Sequence, residues 1–221
     1  MQAEDWLARW RENRIGFHEG GVNPYLRRYI NEFKLKPGDR IFMPLCGKAH
    51  DIAWLAGQGY EVIGIELSDI AIESFFAEFN LQYQQFRSDR FVMRKSDNII
   101  LLQGDYFDLQ SDDLEACKLV YDRAALIAIV ESSRNRYCSH MQSITPDDCD
   151  MLLVTLDYDQ TQMSGPPFSV CGEEVFSHYQ SGYQIQVVEE NDVLDEQPRW
   201  RTQGLTTLQE TVFQLKRGKG L

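Results

Sequence analysis

Apolar and polar positions change period along the chain, and the changes mark its elements. Trp6, Leu7 and Trp10 recur at helical spacing, which predicts an amphipathic helix over 4–13. A loop with Gly16, Gly20 and Gly21 follows. Asn23 has the side chain of an N-cap and Pro24 suits a first helical position, so a second helix runs to about Phe33. The turn at 36–39, Lys-Pro-Gly-Asp, ends it. From there short apolar runs alternate with helical stretches. Strands are predicted at 40–45, 61–67, 98–104, 118–122 and 151–158. Helices are predicted at 50–59, after a cap at Ser68, and near 123–143. Near-continuous apolar strands separated by helices imply a mostly parallel α/β sheet covered on both faces.

The C-terminal part differs. Residues 183–191 and 208–216 alternate in period two and are joined by a polar loop without a helical pattern. They predict an antiparallel hairpin closing one edge, which makes seven strands in all. Residues 81–97 have weak periodicity and several basic residues, and are expected to be an insertion or loop. No repeat or linker interrupts the pattern, so residues 1–221 are expected to form a single domain.

Composition narrows the function classes. The 221 residues are 43% hydrophobic, enough for one sizeable core. The 34 acidic against 22 basic residues give a net charge of −12, which repels phosphate backbones and anionic lipid. Nucleic acid and membrane are therefore disfavoured as partners. No apolar run approaches the roughly 20 residues of a membrane helix. The start, MQAEDWLARWRENR, lacks the apolar stretch of a signal peptide, so a cytoplasmic location is expected. Five cysteines without CxxC spacing, and four histidines never four residues apart, leave no disulfide framework and no metal motif. No metal site is expected.

In a parallel α/β sheet, ligands bind beyond the carboxyl ends of the strands. Glu66 ends the second predicted strand, where an acidic residue can accept hydrogen bonds from both hydroxyls of a ribose. An ordinary exposed glutamate is the alternative. The first turn, Pro-Leu-Cys-Gly-Lys at 44–48, has one glycine and not the GxGxxG that wraps a pyrophosphate. That disfavours a dinucleotide and suits a nucleoside without phosphate. Asp105 and Tyr106 follow the third strand, either as contacts to an adenine edge or as a cap on the next turn. Arg123 follows the fourth, either holding a ligand carboxylate or paired with Asp122 at the surface. Cys46 has no histidine nearby in sequence and reads as packing. Lys48 lacks the surroundings of a P-loop. Trp6, Trp10 and Phe17, and the loop 165–170, are candidate lids; simple helix packing is the alternative for the tryptophans.

These residues carry a likeness. Trp6 and Trp10, Gly-Phe-His at 16–18, PLCGKAHDIAWLAGQGYEVIGIELS at 44–68, AIESFF at 71–76, FDL at 107–109, YDRAALIAI at 121–129 and DYDQTQMSGPPFSV at 157–170 occur in order over nearly the whole chain. The chain resembles the thiopurine S-methyltransferase family, within the class I S-adenosylmethionine-dependent methyltransferases, in its bacterial type. The resemblance implies a Rossmann-like fold with residues 1–22 as an N-terminal helical lid, and S-adenosyl-L-methionine as cofactor. It implies that Trp10, Leu45, Glu66, Asp105, Tyr106 and Arg123 hold that cofactor, and that Phe17 and Arg123 meet the substrate. The implied acceptor is a small aromatic or heterocyclic thiol such as a thiopurine, with selenium or tellurium compounds as further acceptors. A monomer is expected. A thiol with pKa near 8.5 is partly thiolate at neutral pH, so no catalytic base is assigned. The rivals are another small-molecule methyltransferase, a nicotinamide-dependent oxidoreductase, a nucleic-acid methyltransferase and a non-catalytic binding module.

Overall fold

A computed structural model describes residues 3–16 and 18–218. Residues up to Tyr121, with Ile144–Pro146, form one compact unit; Asp122–Ser143 and the chain from Asp147 form a second.

The first unit begins with α1 (Ala3–Arg11) and α2 (Pro24–Tyr29), the latter continued by a 3-10 turn at Ile30–Phe33. Asn23 caps α2 as expected: its side chain accepts from the Tyr25 and Leu26 amides at 3.0 and 3.4 Å. Its own amide donates to the buried Asp51 carboxylate at 2.8 Å, which ties this segment to α3 (His50–Gly57). Strands β1 (Arg40–Met43), β2 (Glu61–Glu66), β3 (Gln84–Arg87), β4 (Val92–Ser96), β5 (Ile99–Gln103) and β6 (Cys117–Arg123) line up in the order β3-β4-β5-β2-β1-β6. β5, β2, β1 and β6 are parallel, and β1 pairs β2 on one side and β6 on the other. The strand order therefore reverses at β1, the place where open α/β sheets bind ligands. Ile41, Phe42, Val62 and Leu101 are fully buried, as are Ile52 of α3 and Phe75 of α4 (Asp69–Glu78). Ser68 caps α4, accepting from the Ala71 amide at 3.3 Å.

Residues 81–97 are a correction. They form an antiparallel hairpin, β3 with β4, and β4 extends the sheet antiparallel to β5. Apolar alternation does not announce it, for two reasons. All four residues of β3 are exposed, and a buried position of β4 is held by Arg94, not by an apolar residue. The Arg94 guanidinium is neutralised by Asp69 and Glu73 of α4 and lies over the Tyr83 ring.

The second unit holds α5 (Glu131–Ile144) except its last residue, with β7 (Asp150–Asp157), α6 (Gly172–Tyr179), β8 (Tyr183–Asp192), α7 (Pro198–Thr202) and β9 (Gln209–Arg217). β8 and β9 form the expected antiparallel hairpin, and β9 also pairs antiparallel with β7. The loop between β8 and β9 is not free of helix: α7 starts at Pro198, whose ring suits a first helical position. Nine strands are present among the described residues, not the seven expected. The added pair is β3 and β4. No described helix is long and apolar enough to cross a membrane.

Candidate functional site

In the first unit, the carboxyl ends of β1, β2 and β5 come together around Glu66. It is the last residue of β2 and is 8% exposed, so it is not the exposed strand-end glutamate of the alternative reading. One carboxylate oxygen accepts from the Gly47 amide at 2.9 Å and the other from the Ser68 amide at 2.7 Å. Its backbone carbonyl accepts from the Gly104 amide at 3.1 Å. One residue thus joins the turns after β1, β2 and β5. Burial raises the Glu66 carboxyl above its ordinary value, and the amides of Ser68, Gly47 and Leu67 pull it back down.

The turn after β1 is built on left-handed backbone: Leu45 has φ +46° and Gly47 φ +54°. Leu45 is half-buried and Gly47 buried. A Cβ on Gly47 would stand 3.2 Å from Cζ2 of Trp10, so glycine is favoured both by the backbone angle and by the ring lying on it. Trp10 is buried, which brings α1 onto the first turn. Cys46 is buried with its sulfur against Gly64. Desolvation, with the nearby Glu66 charge, pushes its thiol well above the ordinary range, which favours the protonated form.

Asp105 and Tyr106 sit at the end of β5. Asp105 is exposed and its carboxylate caps the following turn, accepting from the Phe107 amide at 2.9 Å. Tyr106 is buried with its ring edge-on to Phe107. The capping alternative therefore describes one oxygen of Asp105. Sequence reasoning missed the support for this turn. A Cβ on Gly104 would stand 2.6 Å from the Phe91 ring, so the tip of the β3–β4 hairpin packs on it. Arg90 in the same tip bonds the Asp108 carbonyl at 2.7 Å and the Asp113 carboxylate at 2.6 Å.

Arg123 lies in the second unit, half-buried, as the last residue of β6. Its neighbour Asp122 is fully buried and is not a surface partner. The Asp122 carboxylate accepts from the Tyr137 hydroxyl at 2.7 Å and from the Leu126 amide at 3.0 Å, and burial pushes it up to about 6. The turn capped in this way, Leu126–Ala128, receives the Phe168 amide on the Ile127 carbonyl at 2.7 Å. Tyr158 donates to the Pro167 carbonyl at 2.6 Å, so the 165–168 loop is fastened at both faces of its backbone. Phe17 lies outside the described residues.

The residues around Glu66 fit a ribose. A carboxylate offers about four acceptor sites. Amides at hydrogen-bond distance take two of them and a third faces Leu67, which leaves capacity for a hydroxyl.

The profile of the thiopurine S-methyltransferase family matches residues 1–218. A thiopurine S-methyltransferase of Pseudomonas paraeruginosa is 47% identical over 218 residues, 99% of this chain and 100% of that one. One from Nitrosospira multiformis is 44% identical over 215 residues, 97% and 98% of the two chains. Among solved structures, the 1,6-didemethyltoxoflavin-N1-methyltransferase of Burkholderia thailandensis, with bound 1,6-didemethyltoxoflavin and S-adenosylhomocysteine, has a TM-score of 0.65 at 11% identity. It covers 98% of this chain and 87% of that one, and the likeness is one of fold.

Proposed function

We propose that this chain, which belongs to the thiopurine S-methyltransferase family, moves a methyl group to the sulfur of aromatic and heterocyclic thiols such as thiopurines, and also to selenium or tellurium compounds. The chain is an S-adenosylmethionine-dependent methyltransferase with a Rossmann-like fold. The finer reading of acceptor and site residues rests on the family and on one observation above the others: the buried Glu66 carboxylate, fixed at the strand-order reversal with acceptor capacity to spare.

When bound, adenosylmethionine supplies a methyl sulfonium, which is intrinsically reactive. The chain's tasks are then alignment and exclusion of water. Glu66 takes a ribose hydroxyl on its remaining acceptor site. Leu45 turns its left-handed backbone toward the methionine end, and the Trp10 face walls it, favouring positive charge by cation–π attraction. Asp105 and Tyr106 meet the adenine edge. By the family likeness, Arg123 is assigned to the cofactor and the acceptor, and Phe17 to the acceptor. Residues 1–22 act as the lid, and 1–221 act as one methyltransferase domain. No side chain is assigned as base, since the acceptor thiol ionises unaided near neutral pH. We read the enzyme as a cytoplasmic monomer; five free cysteines, four of them buried, suit a reducing compartment.

Calorimetry with S-adenosylhomocysteine, followed by methyl transfer to a thiopurine, a simple aromatic thiol, selenite and tellurite, tests this reading. Saturable cofactor binding with S-methylated thiopurine as product supports it. Binding without methylation of either thiol replaces the acceptor class, and no binding removes the cofactor assignment.

A further inference from the structure

We propose that His18, His50 and Glu78 form a binding site for one divalent transition-metal ion of the zinc, cobalt, nickel or copper type, separate from the residues around Glu66. His18 lies in the segment between α1 and α2, with its amide bonded to the Ile15 carbonyl at 2.8 Å. His50 is the first residue of α3 and Glu78 the last of α4. Three different elements of the first unit thus converge, and one ligand atom from each side chain lies within 4.8 Å of the other two.

The donor chemistry selects the ion. Two imidazole nitrogens and one carboxylate oxygen suit borderline divalent metals; magnesium and calcium require a shell of oxygens. Ligand atoms about 2.1 Å from a tetrahedral metal stand roughly 3.4 Å apart, so small side-chain rotations close the present spacing. The two imidazole rings already approach to 5.5 Å between centroids, tilted by 37°. Phe79 braces His50 from another side, edge-on at 5.1 Å, which limits the rotations open to that ring. Both histidines are half-buried and Glu78 is exposed, so an ion can enter from solvent and keep water at its fourth position. Lys48 pairs with Oε1 of Glu78, so a metal takes this carboxylate in competition with the Lys48 ammonium. An ion so held would staple the segment following Trp10 to both helices.

The test uses the full-length protein, stripped with chelator, titrated with Zn2+ by calorimetry and with Co2+ by visible absorption. One equivalent of metal should bind, with cobalt d–d bands and no thiolate-to-metal charge-transfer band. His18→Ala and His50→Ala should each weaken binding at least about tenfold, since loss of an outer-shell partner alone costs 10–100-fold. Glu78→Gln should weaken it too. If His50→Ala fails to fold because Phe79 loses its neighbour, His18→Gln and Glu78→Gln decide. The proposal is overturned by absence of saturable binding up to millimolar metal, by a thiolate band, or by folded His18 and Glu78 variants that bind as tightly as the parent.

Discussion

The Trp10 ring rests on Gly47, its Cζ2 3.2 Å from the point where a Cβ on that glycine would stand. The contact joins α1 to the turn whose amide fixes Glu66. Gly47→Ala should therefore do two things. It strains a residue at φ +54°, at about 1–2 kcal/mol, and it crowds the Trp10 ring, which must shift to admit the new methyl. Chemical denaturation should show that loss of stability, and calorimetry should show weaker S-adenosylhomocysteine binding. A variant with parental stability and affinity would mean the ring and the turn are not coupled.

The lid assignment has its own test. α1 is nine residues long and marginal without its docking contact. Amides of residues 5–16 should gain protection from hydrogen exchange when S-adenosylhomocysteine is added. Equal exchange with and without it would return Trp6 and Trp10 to simple packing.

Glu66→Ala removes both the proposed acceptor for the ribose and the partner of two buried amides. Cofactor affinity should fall by about 1.5–3 kcal/mol. Stability should fall by at least about 2 kcal/mol, because the Gly47 and Ser68 amides lose their acceptor. Unchanged affinity in a folded variant sinks the cofactor role and leaves Glu66 as a structural tie.

Cys46 should be inert. Its raised thiol predicts slow alkylation by iodoacetamide in the folded protein and rapid alkylation once unfolded. Cys46→Ser should keep most of kcat, with some loss of stability. A loss beyond about a thousandfold at intact cofactor affinity would establish a covalent role.

Asp122 predicts a pH dependence of stability with a definite sign. Its folded-state value of about 6 lies above the ordinary 3.8, so the fold prefers the protonated form. That contribution is full below about pH 4 and is lost as pH rises through 6. At most about 3 kcal/mol separates the two ends. Denaturation of the parent and of Asp122→Asn across pH 4–7 should show the parent losing stability relative to the variant as pH rises. Parallel curves would mean Asp122 titrates normally.

The parallel strands were legible because β1, β2, β5 and β6 are apolar runs, and buried parallel strands need little else. The place of Glu66 at the end of β2 was legible by position alone. Its bonds to Gly47 and Ser68 were not, because they depend on how three turns meet in space. The β3–β4 hairpin escaped because Arg94 fills a buried place with a charge neutralised from α4. For α7, Pro198 was a readable start that the polar surroundings obscured. The grouping of His18, His50 and Glu78 was hidden for another reason. Ligands on three elements leave no spacing motif, whereas a single metal-binding helix does.

The hairpin that pins Gly104 has a bearing on how this chain can change over time. Glu66 carries folding bonds to the Gly47 and Ser68 amides and, in the function proposed above, the ribose as well, so one substitution there would act on both. The hairpin carries no such double duty along its outer strand, where Gln84–Arg87 face solvent throughout. That strand can be substituted at little cost in packing, whereas Arg90 and Phe91 at the tip bear directly on the turn before Asp105.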